Sequence, residues 1–164
     1  MNEMTSYDMD EMQARSEKEY PWAIFSIANT EYAINSKYVL CFESLNTVTP
    51  IVNSQSYCPG ITESRGELIE LIDLRALFNM ESYTSLKKGD DDEKTMMVVI
   101  EIDGVKRGMI VDKIVSVEYV SNFVEGVVSE NNGTISSPYI SQIAIRDKLD
   151  SPLMLFNPNN LSGL

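Results

Sequence analysis

The sequence predicts a mostly β fold of two similar small β units, each a barrel or near-barrel, joined into one body. Short apolar runs with strand-like alternation recur along the chain, and turn signals such as Asp103-Gly104 separate them. The end of the chain also repeats its middle. The strand-like run 153–156 is followed by Asn157-Pro158, a helix-capping pair, as the run 68–72 is followed by Asp73. This repeat indicates two related units.

Composition and charge limit what the chain can bind. Its 164 residues fit one domain, or two small subdomains with a shared core, and need no disulfide to fold. The 25 acidic and 13 basic residues give a formal charge of -12, which repels phosphate backbones and anionic lipid surfaces. We therefore expect no nucleic-acid partner and no direct membrane insertion.

The cysteines and the start of the chain suggest a cytoplasmic protein. Cys41 and Cys58 could form a disulfide in principle, but no secretory signal is recognisable, so we interpret both as reduced thiols. Residues 1–20 are rich in acidic residues and methionine, which predicts a flexible acidic tail. The folded domain is expected to span 21–162, with an undetermined boundary between its two units.

The domain is predicted to open with a hairpin. Residues 22–27 have a strand pattern, Asn29-Thr30 supplies a turn, and residues 31–34 form the return strand. Further along, Pro50 restricts its segment to a sheet edge or a bend.

The central stretch 60–75 combines a tight turn, a long strand and a helix start. Arg65-Gly66 separates two apolar runs and predicts a hairpin turn that displays the arginine side chain. The run 68–72 is apolar on both faces of the pleat, apart from Glu70, which predicts a strand covered on both sides. Asp73 then occupies a helix N-cap position.

The second half predicts another hairpin. Residues 96–102 and the return strand 105–120 flank Asp103-Gly104, a strong two-residue turn signal. Alternate residues of the return strand are predicted to face the core: Val105, Met109, Val111, Val115, Val117 and Tyr119. The polar segments 87–94 and 121–137 are predicted to be surface loops, the segment 139–145 a strand, and 146–150 a turn.

Catalytic equipment is sparse. The chain contains no histidine, which removes the commonest general base and every Ser/His/Asp or Cys/His arrangement. It has no glycine-rich phosphate loop, and the aspartates at 90–92 lack calcium-loop spacing, so we predict no cofactor and no metal site. One alternative remains, an acid/base pair drawn from four carboxylates of the central stretch: Glu63, Glu67, Glu70 and Asp73.

The centre of the chain resembles the central motif of the CheW family of bacterial chemotaxis coupling proteins. The matching residues are Gly60, Ile61, Arg65, Gly66, Ile69, Leu71, Ile72, Asp73, Leu74, Arg75 and Phe78. Segments 31–34, 104–112, 139–143 and 153–157 resemble flanking elements of that family in the same order. The resemblance runs from about Trp22 to Leu161.

This resemblance implies two packed five-stranded, SH3-like β-barrels with short helices and no catalytic site. It implies an adaptor that couples the cytoplasmic tips of chemoreceptors, the methyl-accepting chemotaxis proteins, to the regulatory domain of the histidine kinase CheA. Such a protein would be recruited to membrane receptor arrays through its partners. The implied partner-binding positions are Val39, Cys41, Gly60, Arg65, Gly66 and Val117. Four of them correspond to family positions implicated in receptor contact or signalling: Val39, Gly60, Arg65 and Val117.

Some positions depart from the family pattern. Cys41 stands where the family often has a glutamate, and Glu70 replaces a frequent proline. Glu63-Ser64 replace a commoner Asn-Leu pair, and Gln142 replaces a glycine. The chain therefore fits a divergent receptor set or a pathway other than motility. Two alternatives stay open, a small acidic carboxylate enzyme and an SH3-like peptide-binding module outside chemotaxis.

Overall fold

Eleven strands in two sheets form most of the regular structure in the computed structural model, which describes residues 17–85, 94–124, 138–146, 151–161 and 164. The expected mostly β fold of two units is confirmed. The first sixteen residues of the predicted tail and most of the predicted loops at 87–94 and 121–137 lie outside the described residues, as does most of the predicted turn at 146–150. Residues 17–19 are helical, and the carbonyl of Glu17 accepts a hydrogen bond of 2.9 Å from the Trp22 indole.

The first sheet combines strands from both ends of the chain. Its order is β8-β1-β2-β11-β10-β9, and the β2 and β11 pair is parallel while the others are antiparallel. The strands are β1 (Trp22–Ile27), β2 (Thr30–Asn35), β8 (Lys113–Glu118), β9 (Phe123–Val124), β10 (Ile140–Ile145) and β11 (Pro152–Phe156).

The second sheet comes from one continuous segment. Its order is β3-β6-β7-β5-β4, and only the β5 and β7 pair is parallel. The strands are β3 (Val39–Ser44), β4 (Ile61–Ser64), β5 (Glu67–Asp73), β6 (Met96–Ile102) and β7 (Val105–Val111). Beyond β3, Thr49 and Ile61 exchange two backbone hydrogen bonds of 2.9 Å. This bridge joins the chain that leaves β3 to the opposite edge of the sheet, as in a small barrel.

The two units share one spatial arrangement of five strands, in which β8-β1-β2-β11-β10 corresponds to β3-β6-β7-β5-β4. In each, an antiparallel hairpin (β1-β2 or β6-β7) pairs in parallel with a strand that feeds a short helix (β11 or β5). Those helices are α1 (Leu74–Leu77) and a 3-10 helix (Pro158–Leu161), and other 3-10 turns are Ser36–Tyr38 and Tyr83–Ser85. The caps match as well. Asp73 accepts from the Arg75 N–H and Asn157 from the Asn159 N–H, both at 3.1 Å. The predicted internal repeat is therefore confirmed, with β9 as an extra strand.

Three hairpins turn through two residues that both have positive φ, as type I′ turns require. Arg65-Gly66 (51° and 82°) and Asp103-Gly104 (51° and 80°) lie where the sequence predicts them. The first hairpin turns at Ala28-Asn29 (48° and 66°), one residue before the predicted Asn29-Thr30, because Thr30 already pairs with Ile27.

An apolar layer between the two sheets forms the largest part of the core. β6 alternates between this layer and the inside of the second barrel, since Val98 and Ile100 face the first sheet while Met97 and Val99 face inward. From the first sheet, Phe25, Ile34 and other residues complete the layer. The middle of the second sheet is therefore buried on both faces.

Two burial predictions need correction. Leu68 is 72% exposed, so β5 is covered on both sides only from its middle onward, where Leu71 and Ile72 are buried. The predicted return strand 105–120 is in fact two strands, because the chain passes at Asp112 from β7 in one sheet to β8 in the other. Only part of its predicted core face is buried, since Met109 and Val111 are buried and the other four are exposed: Val105, Val115, Val117 and Tyr119.

Ile72→Ala should lower the free energy of unfolding by about 2–5 kcal/mol, because the side chain is 3% exposed and packs in the layer between the sheets. The matched control on the same strand, Leu68→Ala, should change it by less than about 0.5 kcal/mol. Urea denaturation followed by circular dichroism measures both. Similar losses for the two variants would contradict this placement.

Candidate functional site

Arg65 lies at the tip of the β4-β5 hairpin with a side chain that is 72% exposed. Its Nε atom is 3.7 Å from Oε1 of Glu43, a β3 residue whose side chain is 24% exposed. An exposed pair at this distance contributes little stability. The guanidinium is therefore displayed at the surface and oriented by Glu43, and it remains accessible to another molecule.

Exposed apolar side chains flank this ion pair in the sequence. Leu68 follows the turn, and Phe42 precedes Glu43 on β3. Phe42 and Glu43 are neighbours on one strand and face opposite sides of it, Phe42 the side of Val98 and Glu43 the side of Met97. We call Arg65, Glu43 and Leu68 the Arg65 surface. An exposed guanidinium that can form charge-assisted hydrogen bonds is typical of the contact residues of protein interfaces.

Cys41 lies two residues from Glu43 on β3 and is half-buried against the barrel core near Ile69 and Leu71. Burial raises the pKa of the Cys41 thiol, the charge of Glu43 raises it further, and the charge of Arg65 lowers it. The side chain at position 41 thus supports the Arg65 surface from below. Position 41 of this chain is a cysteine and not a glutamate, and the carboxylate that pairs with Arg65 belongs to Glu43.

The other predicted partner-binding residues of the second unit have structural roles. Val39 packs against the layer between the sheets. Gly60 is buried, has φ of +154°, and a Cβ there would lie 2.1 Å from the Thr49 carbonyl oxygen. Gly66 has φ of +82° and open space around it. The glycines therefore shape the bridge and the turn that present Arg65.

Val117 lies on the other sheet. It belongs to β8, an edge strand, and is 49% exposed, and Val115 on the same strand and Tyr119 just beyond its end are also exposed. We call these three residues the β8 surface. The sequence pattern placed all three on one core face, which is wrong, because they are exposed and a β-bulge at Val115 interrupts the alternation. The position of β8 at a sheet edge explains their exposure.

The structure separates the carboxylates of the enzyme alternative. Asp73 is buried and caps α1, and it also accepts from the Ser82 hydroxyl (3.0 Å) and the Tyr83 N–H (3.1 Å). Glu67 pairs with Lys106 at 2.6 Å. Glu70 alone of the four lines a cleft of about 260 Å³. The pocket with two close carboxylates that this alternative requires is not formed by these residues.

The described ranges contain no group of three or more His, Cys, Asp or Glu side chains that could hold a metal ion. Across the same ranges, no helix has the length and apolar character needed to cross a membrane. The predicted loop with aspartates 90–92 lies outside the described residues.

Comparison with known proteins places this geometry in a family. The model of the CheW-like domain matches residues 21–163. A chemotaxis protein CheW from Klebsiella aerogenes is 30% identical over 89 residues, which are 54% of this chain and 50% of that protein. The match thus spans about half the length of that curated relative.

A solved structure shares the fold. The crystal structure of the scaffolding protein TtCheW from Thermoanaerobacter tengcongensis matches with a TM-score of 0.68 and 24% sequence identity. The match covers 84% of this chain and 88% of that chain. The expected SH3-like fold of two barrels is thereby confirmed.

Gly60→Ala should lower the free energy of unfolding by about 3 kcal/mol or more, because the new methyl group meets the Thr49 carbonyl and breaks the bridge to Ile61. Gly66→Ala should cost only about 1–2 kcal/mol, since strain at positive φ is its sole penalty. Thermal melts compare the two. A Gly60→Ala protein as stable as the wild type would contradict the close approach.

Arg65→Ala should slow the alkylation of Cys41 by iodoacetamide at mildly alkaline pH. Arg65 lowers the pKa of the thiol, so its loss reduces the thiolate fraction that reacts. The rate is measured by mass spectrometry in a Cys58→Ser background, with Lys106→Ala as the control for loss of a surface cation. An unchanged or faster rate would show that Arg65 does not act on Cys41.

Proposed function

Because the chain belongs to the family of CheW-like domains, we propose that it is a non-enzymatic adaptor in chemotaxis signalling that couples chemoreceptor cytoplasmic tips to the histidine kinase CheA. One observation carries the proposal. The chain displays two separate surfaces with exposed apolar side chains, the β8 surface on the first sheet and the Arg65 surface on the second. An adaptor needs two such surfaces, whereas an enzyme needs a pocket with converging reactive groups.

The β8 surface fits a helical partner. Val115, Val117 and Tyr119 expose apolar side chains along an edge strand and just beyond its end, in a segment roughly 13 Å long. We propose that a helix of the receptor tip lies along this segment, with Val117 at its centre.

The Arg65 surface fits a folded partner. It is short, it lies at a hairpin tip, and it combines the Arg65 and Glu43 pair with exposed Leu68 on the same hairpin. We propose that it contacts the regulatory domain of the kinase. Since the family resemblance also relates Arg65 to receptor signalling, each surface variant is to be titrated with both partners.

The remaining parts of the proposal follow from composition. A chain without histidine and with a formal charge of -12 lacks the usual acid/base residue and repels anionic lipids. We therefore propose a cytoplasmic protein without a cofactor, which reaches membrane receptor arrays through its partners. Among the proposed contact residues, Cys41, Gly60 and Gly66 act by supporting the Arg65 surface, and Val39 acts by packing against the layer between the sheets.

Val117→Asp should weaken binding to a receptor-tip fragment by at least about tenfold, because it places a charge in the middle of an apolar contact. Val105→Asp is the matched control, since Val105 is similarly exposed but lies beside the turn of the β6-β7 hairpin, on the other sheet. Isothermal titration calorimetry with receptor and kinase fragments from the same organism measures both variants. Binding of neither fragment by the wild type would refute the proposed function.

Arg65→Ala should leave folding almost unchanged and weaken binding to the kinase regulatory domain roughly three- to tenfold. Lys106→Ala, which removes a second exposed cation paired with a glutamate, should leave binding unchanged. A loss confined to the receptor fragment would move the Arg65 surface to the receptor contact. A large fall in melting temperature would contradict the exposed position of Arg65.

A further inference from the structure

Asp112 is the single residue between β7 of the second sheet and β8 of the first. Its backbone N–H donates to the Ser26 carbonyl at 3.1 Å. Its side-chain Oδ2 accepts from the backbone N–H of Ala28, in the β1-β2 turn, at 2.8 Å. The residue at which the chain changes sheets is thus tied to the first hairpin by two hydrogen bonds.

The same carboxylate is held by the second unit. Arg75, on α1, donates from Nε to Oδ1 at 2.8 Å and from Nη2 to Oδ2 at 2.7 Å. The side chains are only 14% and 16% exposed, and hydrogen bonding to Asp112 raises the pKa of Arg75. This bidentate geometry fixes direction as well as distance.

The apolar layer between the sheets cannot fix direction in the same way. It holds the sheets together, but apolar attraction is non-directional and depends on buried area. Directional bonds between the sheets are therefore the restraint on their relative rotation. The Arg75 and Asp112 pair is one such restraint, and it lies on the path that joins the two proposed docking surfaces.

That path is short. β5 begins beside the Arg65 turn and ends in α1, which carries Arg75. Arg75 holds Asp112, and Asp112 starts the strand that carries Val117. A rotation at Asp112 would therefore change the angle between the Arg65 surface and the β8 surface without disturbing either surface internally.

Building on the proposed function, we infer that Arg75 and Asp112 form a clamp that sets the angle between the two docking surfaces, so that control of the kinase by the receptor depends on it. Both are positioning residues, since neither belongs to a docking surface. Without the clamp, the protein still binds the receptor and the kinase one at a time. In the assembly of all three proteins, however, the receptor and the kinase are held at the wrong angle to each other.

The first test uses the free protein and requires no partner. Spin labels at Glu63, exposed on β4, and at Val115, exposed on β8, report the distance between the sheets by pulsed electron resonance in a background with both native cysteines replaced. Arg75→Ala should broaden the distance distribution about twofold. Arg75→Lys keeps the charge but loses the bidentate fork, so it should broaden the distribution as well, and it covers the case in which Arg75→Ala does not fold.

Arg146→Ala is the matched control. Arg146 is 13% exposed and pairs with Glu31, at 2.6 Å, and with Glu118, and all three residues belong to the first unit. Its loss should lower the melting temperature without broadening the distance distribution. An unchanged width in both Arg75 variants, or equal broadening in Arg146→Ala, would overturn the clamp.

The second test addresses signalling. In reconstituted assemblies of receptor, kinase and adaptor, Arg75→Lys should reduce receptor control of kinase activity at least about fivefold, while each binary affinity changes by less than about threefold. Full receptor control with the variant would overturn the inference. The two proposals fail separately, because a wild-type protein that binds neither partner refutes the adaptor function and leaves the distance measurement valid.

Discussion

The apolar layer between the two sheets is the constraint on which the rest of the structure depends. Because the second sheet closes through the bridge of Thr49 to Ile61, its strands have an inside and an outside, and the first unit covers part of the outside. Residues such as Ile72 and Val98 are therefore buried in a second core and not at a surface. Both units supply residues to this layer, so neither is expected to keep its fold without the other.

Two carboxylates beside this layer hold neighbouring segments together by hydrogen bonds. Asp73 ends β5, caps α1 and binds the Ser82 and Tyr83 segment, while Asp112 joins the two sheets and holds Arg75. In an acidic chain such groups suggest chemistry, but here they accept hydrogen bonds from backbone N–H groups, one hydroxyl and one guanidinium. Once these structural roles are assigned, the side chains left free for partners are mostly apolar and lie at edges and turns. This distribution favours binding over catalysis.

The path of the chain, which passes from the first unit to the second and back, explains how a displacement of one proposed surface can reach the other. The first unit is discontinuous, since its hairpin β1-β2 precedes the second unit and β8 to β11 follow it. The chain crosses between the units before β3 and again at Asp112. A displacement of one docking surface is therefore transmitted through covalent crossings and the clamp, and not only through apolar contact.

What the sequence by itself determined is the local structure. The Arg65-Gly66 and Asp103-Gly104 turns and the caps at Asp73 and Asn157 depend on a few neighbouring residues, so their patterns predicted them correctly, along with the repeat and the family resemblance. Only the tertiary structure decided which faces are buried. Val117 has the alternation of a core strand, yet β8 lies at an edge of the other sheet, and burial depends on neighbours that are distant in the chain. The partners of Asp112 are equally remote, since Ala28 and Arg75 lie 84 and 37 residues away.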